Sequence, residues 1–219
     1  MNGADRDAGA PLWEFPESAE DRAAKAAEDT GLAGLLVPYE AGGWSRGPDL
    51  GEFGPDVELS GERATALRKE RLRGLPRTLR RQMEKEIDRQ RLTGLAMRSY
   101  QSAGEAAWSV EGHTFTMSIE LARMESPATV RDRARTQSRF LDAMDIFRKG
   151  PAIKGHENAR CYLQPKIDEV DLDRMFCTAY VGNVLVTATA AGAVPLNTKG
   201  AAMLLTEQLD RIDEPGKAV

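Results

Sequence analysis

Histidine and cysteine are scarce in this chain, two of each among 219 residues, and aromatic residues make up only 6%. The histidines, His113 and His156, supply little material for acid–base chemistry, and a hydrogen-bonded or solvent-facing imidazole is the commoner use of each. No Gly-x-Ser-x-Gly elbow, Gly-rich phosphate loop, dinucleotide fingerprint or His-Glu-x-x-His pair occurs, and each of those chemistries depends on its spacing. No window of eighteen apolar residues exists, and the first twenty residues lack a basic end followed by an apolar run. The chain as it stands is therefore expected to carry neither a membrane span nor a signal peptide. Two cysteines, Cys161 and Cys177, are too few for a disulfide scaffold; they serve either as one bridge between neighbouring strands or as two buried thiols. Joined with His113 and His156 they match no zinc-finger or knuckle spacing, and no metal or other cofactor is expected. The acidic connector Asp168, Glu169, Asp171 and Asp173 lacks the glycine and closing glutamate of a calcium loop, so it reads as a solvated turn.

Charge is plentiful and unevenly placed. The formal net charge is −4, yet residues 1–60 hold 13 Asp and Glu against 4 Lys and Arg, while residues 61–91 hold 5 against 11. The basic stretch reads either as a surface for phosphates or as a solvated face balanced in cis by the acidic segment before it. The adjacency of opposite signs favours the second. Nucleic acid is disfavoured as a partner because no aromatic residues interleave between Gly61 and Arg91.

Residues 1–30 read as a flexible acidic arm, with Trp13 and Phe15 as its aromatics and a helical composition over 18–30. The domain is expected over 31–219. An apolar segment closed by Pro38 leads into residues 39–60, whose density of glycine and proline predicts an ordered loop without regular structure. A loop of that length is uncommon in a compact domain unless it has work to do. Ser60 predicts the N-cap of a helix over 60–73, and Pro76 opens a second over 76–92 with Leu79, Met83 and Ile87 at spacing four. Strands are expected over 93–100 and 107–123. Ser126 and Pro127 open a third helix with Val130, Ala134, Leu141, Met144 and Phe147 inward, closed by Lys149-Gly150-Pro151. A short strand over 159–163 follows.

The clearest stretch is 172–212. Met175, Cys177, Ala179 and Val181 alternate with their neighbours, Gly182-Asn183 tolerates positive φ, and a β-branched run continues from Val184. Asn197 and Thr198 then cap a helix whose stripe is Ala201, Leu204, Leu205, Gln208, Leu209 and Ile212. The connections are too short for parallel crossovers. The expected fold is therefore a single α+β domain, an antiparallel sheet backed by helices on one side.

Several segments carry a resemblance: Gly47-Pro-Asp-Leu-Gly-Glu-Phe-Gly-Pro-Asp, Ala64-Thr-Ala-Leu, Gly74-Leu-Pro, Leu95-Ala-Met-Arg-Ser-Tyr, Phe147-Arg-Lys-Gly-Pro, Cys161, Cys177-Thr-Ala-Tyr, Gln208-Leu-Asp and the ending Glu214-Pro-Gly-Lys-Ala-Val. Over residues 32–219 the chain resembles a family of actinobacterial cell-envelope proteins of secreted or lipoprotein type. The resemblance implies a preceding signal or lipoprotein segment, an extracytoplasmic or membrane-associated rather than cytoplasmic location, and a disulfide between Cys161 and Cys177. It carries over no catalytic residue. The strand-turn-strand at Gly182-Asn183 is also similar to that of mycobacterial envelope lipoproteins and receptor-kinase sensor domains, a likeness of fold alone.

The function these features imply is a non-enzymatic binding or sensor-like domain of the cell envelope. Its expected surface combines Trp44, Arg46 and Asp49 of the Gly/Pro loop with His156, Glu157 and Asn158. Its expected partners are an envelope polymer, an anionic lipid surface or another envelope protein. Two alternatives stand beside it: an enzyme with an unrecognised site near His156 and the 42–55 loop, which a deep pocket joining those groups would favour, and a structural envelope component.

Overall fold

Alternation along the strands decides the architecture, because the central strands bury side chains of both parities. The computed structural model describes residues 31–39, 41–102, 114–166 and 171–213. In chain order its elements are β1 (Trp44–Arg46), β2 (Asp56–Ser60), α1 (Gly61–Glu70), α2 (Arg77–Arg89), β3 (Leu92–Ser102), β4 (Phe115–Met124), α3 (Pro127–Met144), β5 (Arg148–Lys149), β6 (Arg160–Leu163), β7 (Leu172–Val181), β8 (Val184–Ala193) and α4 (Thr198–Asp213). The sheet is antiparallel in the order β1-β3-β4-β8-β7-β6-β5, with β2 also pairing along β3.

Phe115, Met117, Ile119 and Leu121 of β4 share one core with Val186, Ala188 and Ala190 of β8, Leu204, Leu205 and Leu209 of α4, and Leu32, Leu36 and Val37. The intervening Ala122 and Met124 join Leu185, Ala64 of α1 and Val130 and Ala134 of α3 in a second core. Helices therefore cover both faces of the sheet, which corrects the one-sided arrangement expected from element order. The α+β class, the antiparallel sheet and its helical backing stand as read.

Local chemistry explains the joints. Ser60 Oγ accepts from the Arg63 amide at 3.3 Å and Asn197 Oδ1 from the Gly200 amide at 2.9 Å, so each caps the helix that follows it. Gly182 turns the β7–β8 hairpin at φ 54°. Asn183 then ties that turn to the end of β4, accepting from the Met124 amide at 3.0 Å and donating from Nδ2 to the Met124 carbonyl at 3.1 Å.

Four expectations are corrected. Residues 39–60 contain strands β1 and β2: β1 is only three residues long, β2 alternates Val57 and Leu59 with Asp56, Glu58 and Ser60 just after a run rich in glycine and proline, and both pair along the edge of β3. The third helix ends at Met144, not beyond Phe147, since Asp145 takes a left-handed conformation at φ 50° and the chain leaves to make β5. Met144 is consequently exposed, and Phe147 packs edge-on against Tyr162 with ring centroids 6.5 Å apart. Asp173 does not lie in a solvated turn: it is buried, and its carboxylate oxygens accept from Arg148 Nη2 at 2.7 and 2.8 Å. The arm over 1–30, its helical segment, His113, the start of the strand over 107–113, and Asp168 with Glu169 all lie outside the described residues.

Cys161 and Cys177 sit directly opposite one another on β6 and β7 and are joined as a disulfide, with Cα atoms 4.1 Å apart. That separation falls slightly under the ~4.4 Å at which such pairs usually begin. The bridge also disposes of the zinc combination, since it leaves neither sulfur as a thiolate.

Leu205 and Leu209 are both at or below 1% exposure in the core beneath α4. Leu205→Ala or Leu209→Ala is expected to cost about 2–5 kcal/mol in chemical denaturation, the usual range for emptying a packed leucine site; a loss near zero would show that the stripe does not pack on the hairpin.

Candidate functional site

The C-terminal half of α4 holds the segments that sequence reading singles out. Gln208 lies within the apolar stripe and is fully buried, so its amide needs partners. Its Oε1 accepts from the Val37 amide at 3.1 Å and its Nε2 donates to the Leu35 carbonyl at 2.7 Å. Arg211 donates from Nη2 to the Gly34 carbonyl at 3.1 Å. On the same helix, Glu207 Oε2 accepts from Trp44 Nε1 at 3.3 Å, and Asp210 Oδ1 lies 2.7 Å from His156 Nε2. The two ends of the expected surface thus meet α4 at carboxylates three residues apart.

Beside them, loop 47–55 leaves the sheet between β1 and β2 and returns to it. Ser99 of β3 fixes both ends: its carbonyl accepts from the Gly47 amide at 3.0 Å, and its amide donates to the Pro55 carbonyl at 2.8 Å. Ser99 Oγ also donates to the Pro48 carbonyl. Gly47 must be glycine, because a Cβ there would come within 2.7 Å of the Tyr100 backbone. Pro48, Asp49, Gly51 and Glu52 are exposed at the tip.

Under the loop lies a polar cluster that sequence reading missed. Arg98, buried on β3, donates from Nη2 to Asp56 Oδ2 at 2.7 Å and from Nη1 to the Val37 carbonyl at 3.1 Å, where the Tyr100 hydroxyl also donates at 2.8 Å. The Tyr39 ring lies near two guanidinium groups, 5.2 Å from Arg98 and 5.5 Å from Arg46, and its hydroxyl donates to the Pro55 carbonyl at 3.1 Å. Burial opposes the charge on Arg98, but the hydrogen bond and carboxylate of Asp56, with the neighbouring tyrosines, hold its pKa above the ordinary value. Burial, with Asp56 adding to it, pushes the Tyr39 hydroxyl up to about 12 against the pull of Arg98 and Arg46. Burial also raises Tyr100.

The expected surface residues separate on this scaffold. Arg46, Asp49 and Glu157 are exposed; Trp44 is not a surface group, being 2% exposed and edge-on to Phe115 at 6.0 Å. Asn158 is half-buried and structural on one side, its Nδ2 donating to the Tyr180 carbonyl at 2.9 Å, while its Oδ1 is buried without a hydrogen-bond partner among the described residues. His156 and Asp210 make a base-and-carboxylate pair. No group of three or more His, Cys, Asp or Glu positioned for a metal occurs among the described residues, and no hydrogen bond among them links His156 to a hydroxyl or thiol. The clue to Gln208 was its amide in an apolar stripe; the clue to Arg98 was a charge inside a strand of buried residues.

Part of the basic stretch pairs with acids of the domain itself. Arg68 meets Glu120, Lys69 meets Asp88, Arg80 meets Glu84, Arg89 meets Glu86 and Arg91 meets Glu125. No ion pair joins Arg77, Arg81 or Lys85 to a described residue, and these three line a shallow depression with Thr78 and Gln82.

Two outcomes test this arrangement. Gln208→Leu keeps the volume but orphans the Val37 amide and Leu35 carbonyl, so it is expected to cost about 1–3 kcal/mol per group and to speed hydrogen exchange at Val37. Tyr39 and Tyr100 have folded-state pKa values raised above the unfolded 10.0. The contribution of Tyr39 is therefore complete below pH 10 and is lost as pH rises through about 12. Denaturation midpoints should fall over that window, and Tyr39→Phe should flatten the fall.

No protein-family model matches the sequence, and no curated protein matches it. Among solved structures, the extracellular domain of PknH from Mycobacterium tuberculosis superposes with a TM-score of 0.48 at 9% identity, over 83% of this chain and 94% of that one. A likeness at that level says nothing of activity.

Proposed function

We propose that the chain is a non-enzymatic, extracytoplasmic binding or sensor-like domain of the cell envelope. Its contact surface is the tip of loop 47–55 with Arg46 and Asp49, continued around α4 by His156 and Glu157. The observation that carries the reading is the Cys161–Cys177 disulfide. Disulfides persist in oxidising compartments and are rare in reducing ones, and this one lies within the buried core rather than at an exposed, exchangeable position. The loop supports the binding half of the reading. A segment rich in glycine and proline is usually mobile, yet here both ends are fixed to one residue, Ser99, so the tip is presented with little ordering left to do on contact. No helix among the described residues is long and apolar enough to cross a membrane.

The rival reading, an enzyme, draws on the 2.7 Å contact between His156 and Asp210. The two part company in one experiment on the full chain. Incubated with soluble glycan and muropeptide fragments of actinobacterial envelope, a binding domain yields saturable binding by calorimetry, no new products by mass spectrometry, and a several-fold affinity loss in Arg46→Ala/Asp49→Ala. Product formation that His156→Ala abolishes would establish the enzyme instead. Neither binding nor turnover would leave the structural-component alternative.

A further inference from the structure

We infer that α2 docks the protein on an anionic phospholipid bilayer. Residues four apart on a helix stack into rows, so Arg77, Arg81 and Lys85 form one row and Leu79 and Met83 another. The helix has no buried residue; its half-buried side is Arg80, Glu84 and Ile87, and Asp88 reaches Lys69 of α1. Both rows therefore border the outward surface. Leu79 is 45% exposed and Met83 40%, so the second row is apolar and open to solvent.

Charge selects the occupant. Five other cations of the basic stretch are paired with acids of the domain itself, and Arg73 with Glu70 makes a sixth. Four of these pairs use acids of the basic stretch itself and only Glu120 and Glu125 come from outside it, so the stretch keeps a positive excess, with a row of three cations on one flank of α2. Cations on one flank and exposed Leu and Met on the other match a bilayer surface, where lipid phosphates meet the first and the acyl boundary takes up the second. A dissolved polyanion would use the cations and ignore the apolar row; an uncharged protein surface would do the reverse. The competing occupant within the chain is residues 1–30, which hold 8 Asp and Glu against 3 Lys and Arg. Its carboxylates match the cation row but not the exposed row of Leu79 and Met83, which the acyl boundary of a bilayer takes up. The inference uses no part of loop 47–55, so it stands or falls separately from the envelope-ligand reading.

The test is co-sedimentation of the full chain with phosphatidylcholine vesicles with and without phosphatidylglycerol. Binding is expected only with phosphatidylglycerol, weakening steeply as added salt shortens the Debye length from ~30 Å to ~8 Å. Arg77→Gln/Arg81→Gln/Lys85→Gln should weaken it at least about tenfold, and Leu79→Ser/Met83→Ser several-fold, with thermal unfolding of both variants unchanged because these side chains are exposed. Three results overturn the inference: no binding at low salt; loss with the charge variant but none with Leu79→Ser/Met83→Ser, which would indicate a polyanion; or binding that appears only in Glu14→Gln/Glu17→Gln/Glu20→Gln/Asp21→Asn, which would make residues 1–30 the occupant.

Discussion

The pairing of β4 with β8 constrains everything else, because these are the central strands and both of their faces are buried. Ile119 opposite Ala188 and Leu121 opposite Val186 commit one face to α4, and Ala122 opposite Leu185 commits the other to α1 and α3. A slip of one residue would exchange the two sets and present each helix with the wrong side chains. Small residues in β8, Ala188 and Ala190, face bulky ones in β4, Ile119 and Met117, so the layers interdigitate at that register and not at its neighbours. The tie from Asn183 to Met124 at the end of the pair fixes the same register through hydrogen bonds.

Polar groups inside the fold do a different job: they attach irregular backbone to regular elements. Residues 32–37 pack as core but make little regular structure, leaving backbone groups that water cannot reach. Glu58 takes the amides of Leu32 and Ala33, Gln208 takes Val37 and Leu35, and Arg98 with Tyr100 takes the Val37 carbonyl. Each tie comes from a different element, so the segment has one placement. Apolar packing alone would hold it less specifically, since dispersion is indifferent to small displacements along a smooth surface.

Legibility from sequence followed the locality of the cause. The β7–β8 hairpin and α4 were readable because Gly182, the alternation from Met175 and the stripe from Ala201 to Ile212 act within a few residues. The disulfide is one of two readings the sequence allows, and the register of β6 on β7 decides between them. β1 is hidden because three residues show no period, and the alternation of Val57 and Leu59 in β2 is obscured by the glycine and proline that precede it. The end of α3 was misjudged because Asp145, not a glycine, adopts the left-handed turn, and nothing local marks it. Trp44 was read as a surface aromatic amid glycine and charge; it is core because Phe115 and Glu207, distant in sequence, close over it. The Arg98 cluster and the Gln208 clamp were visible only as anomalies, polar residues at positions where the pattern called for apolar ones.

The division of one sheet margin between β1 and β2 has a bearing on self-association. Unsatisfied amides and carbonyls along an outer strand invite a second chain to extend the sheet. On this molecule loop 47–55 breaks one outer strand in two, while the opposite margin ends in β5, only two residues long. Among the described residues neither side offers a continuous ladder for an incoming strand. A copy of the protein crowded against another therefore meets a loop on one flank and a stub on the other, and the sheet stays finite.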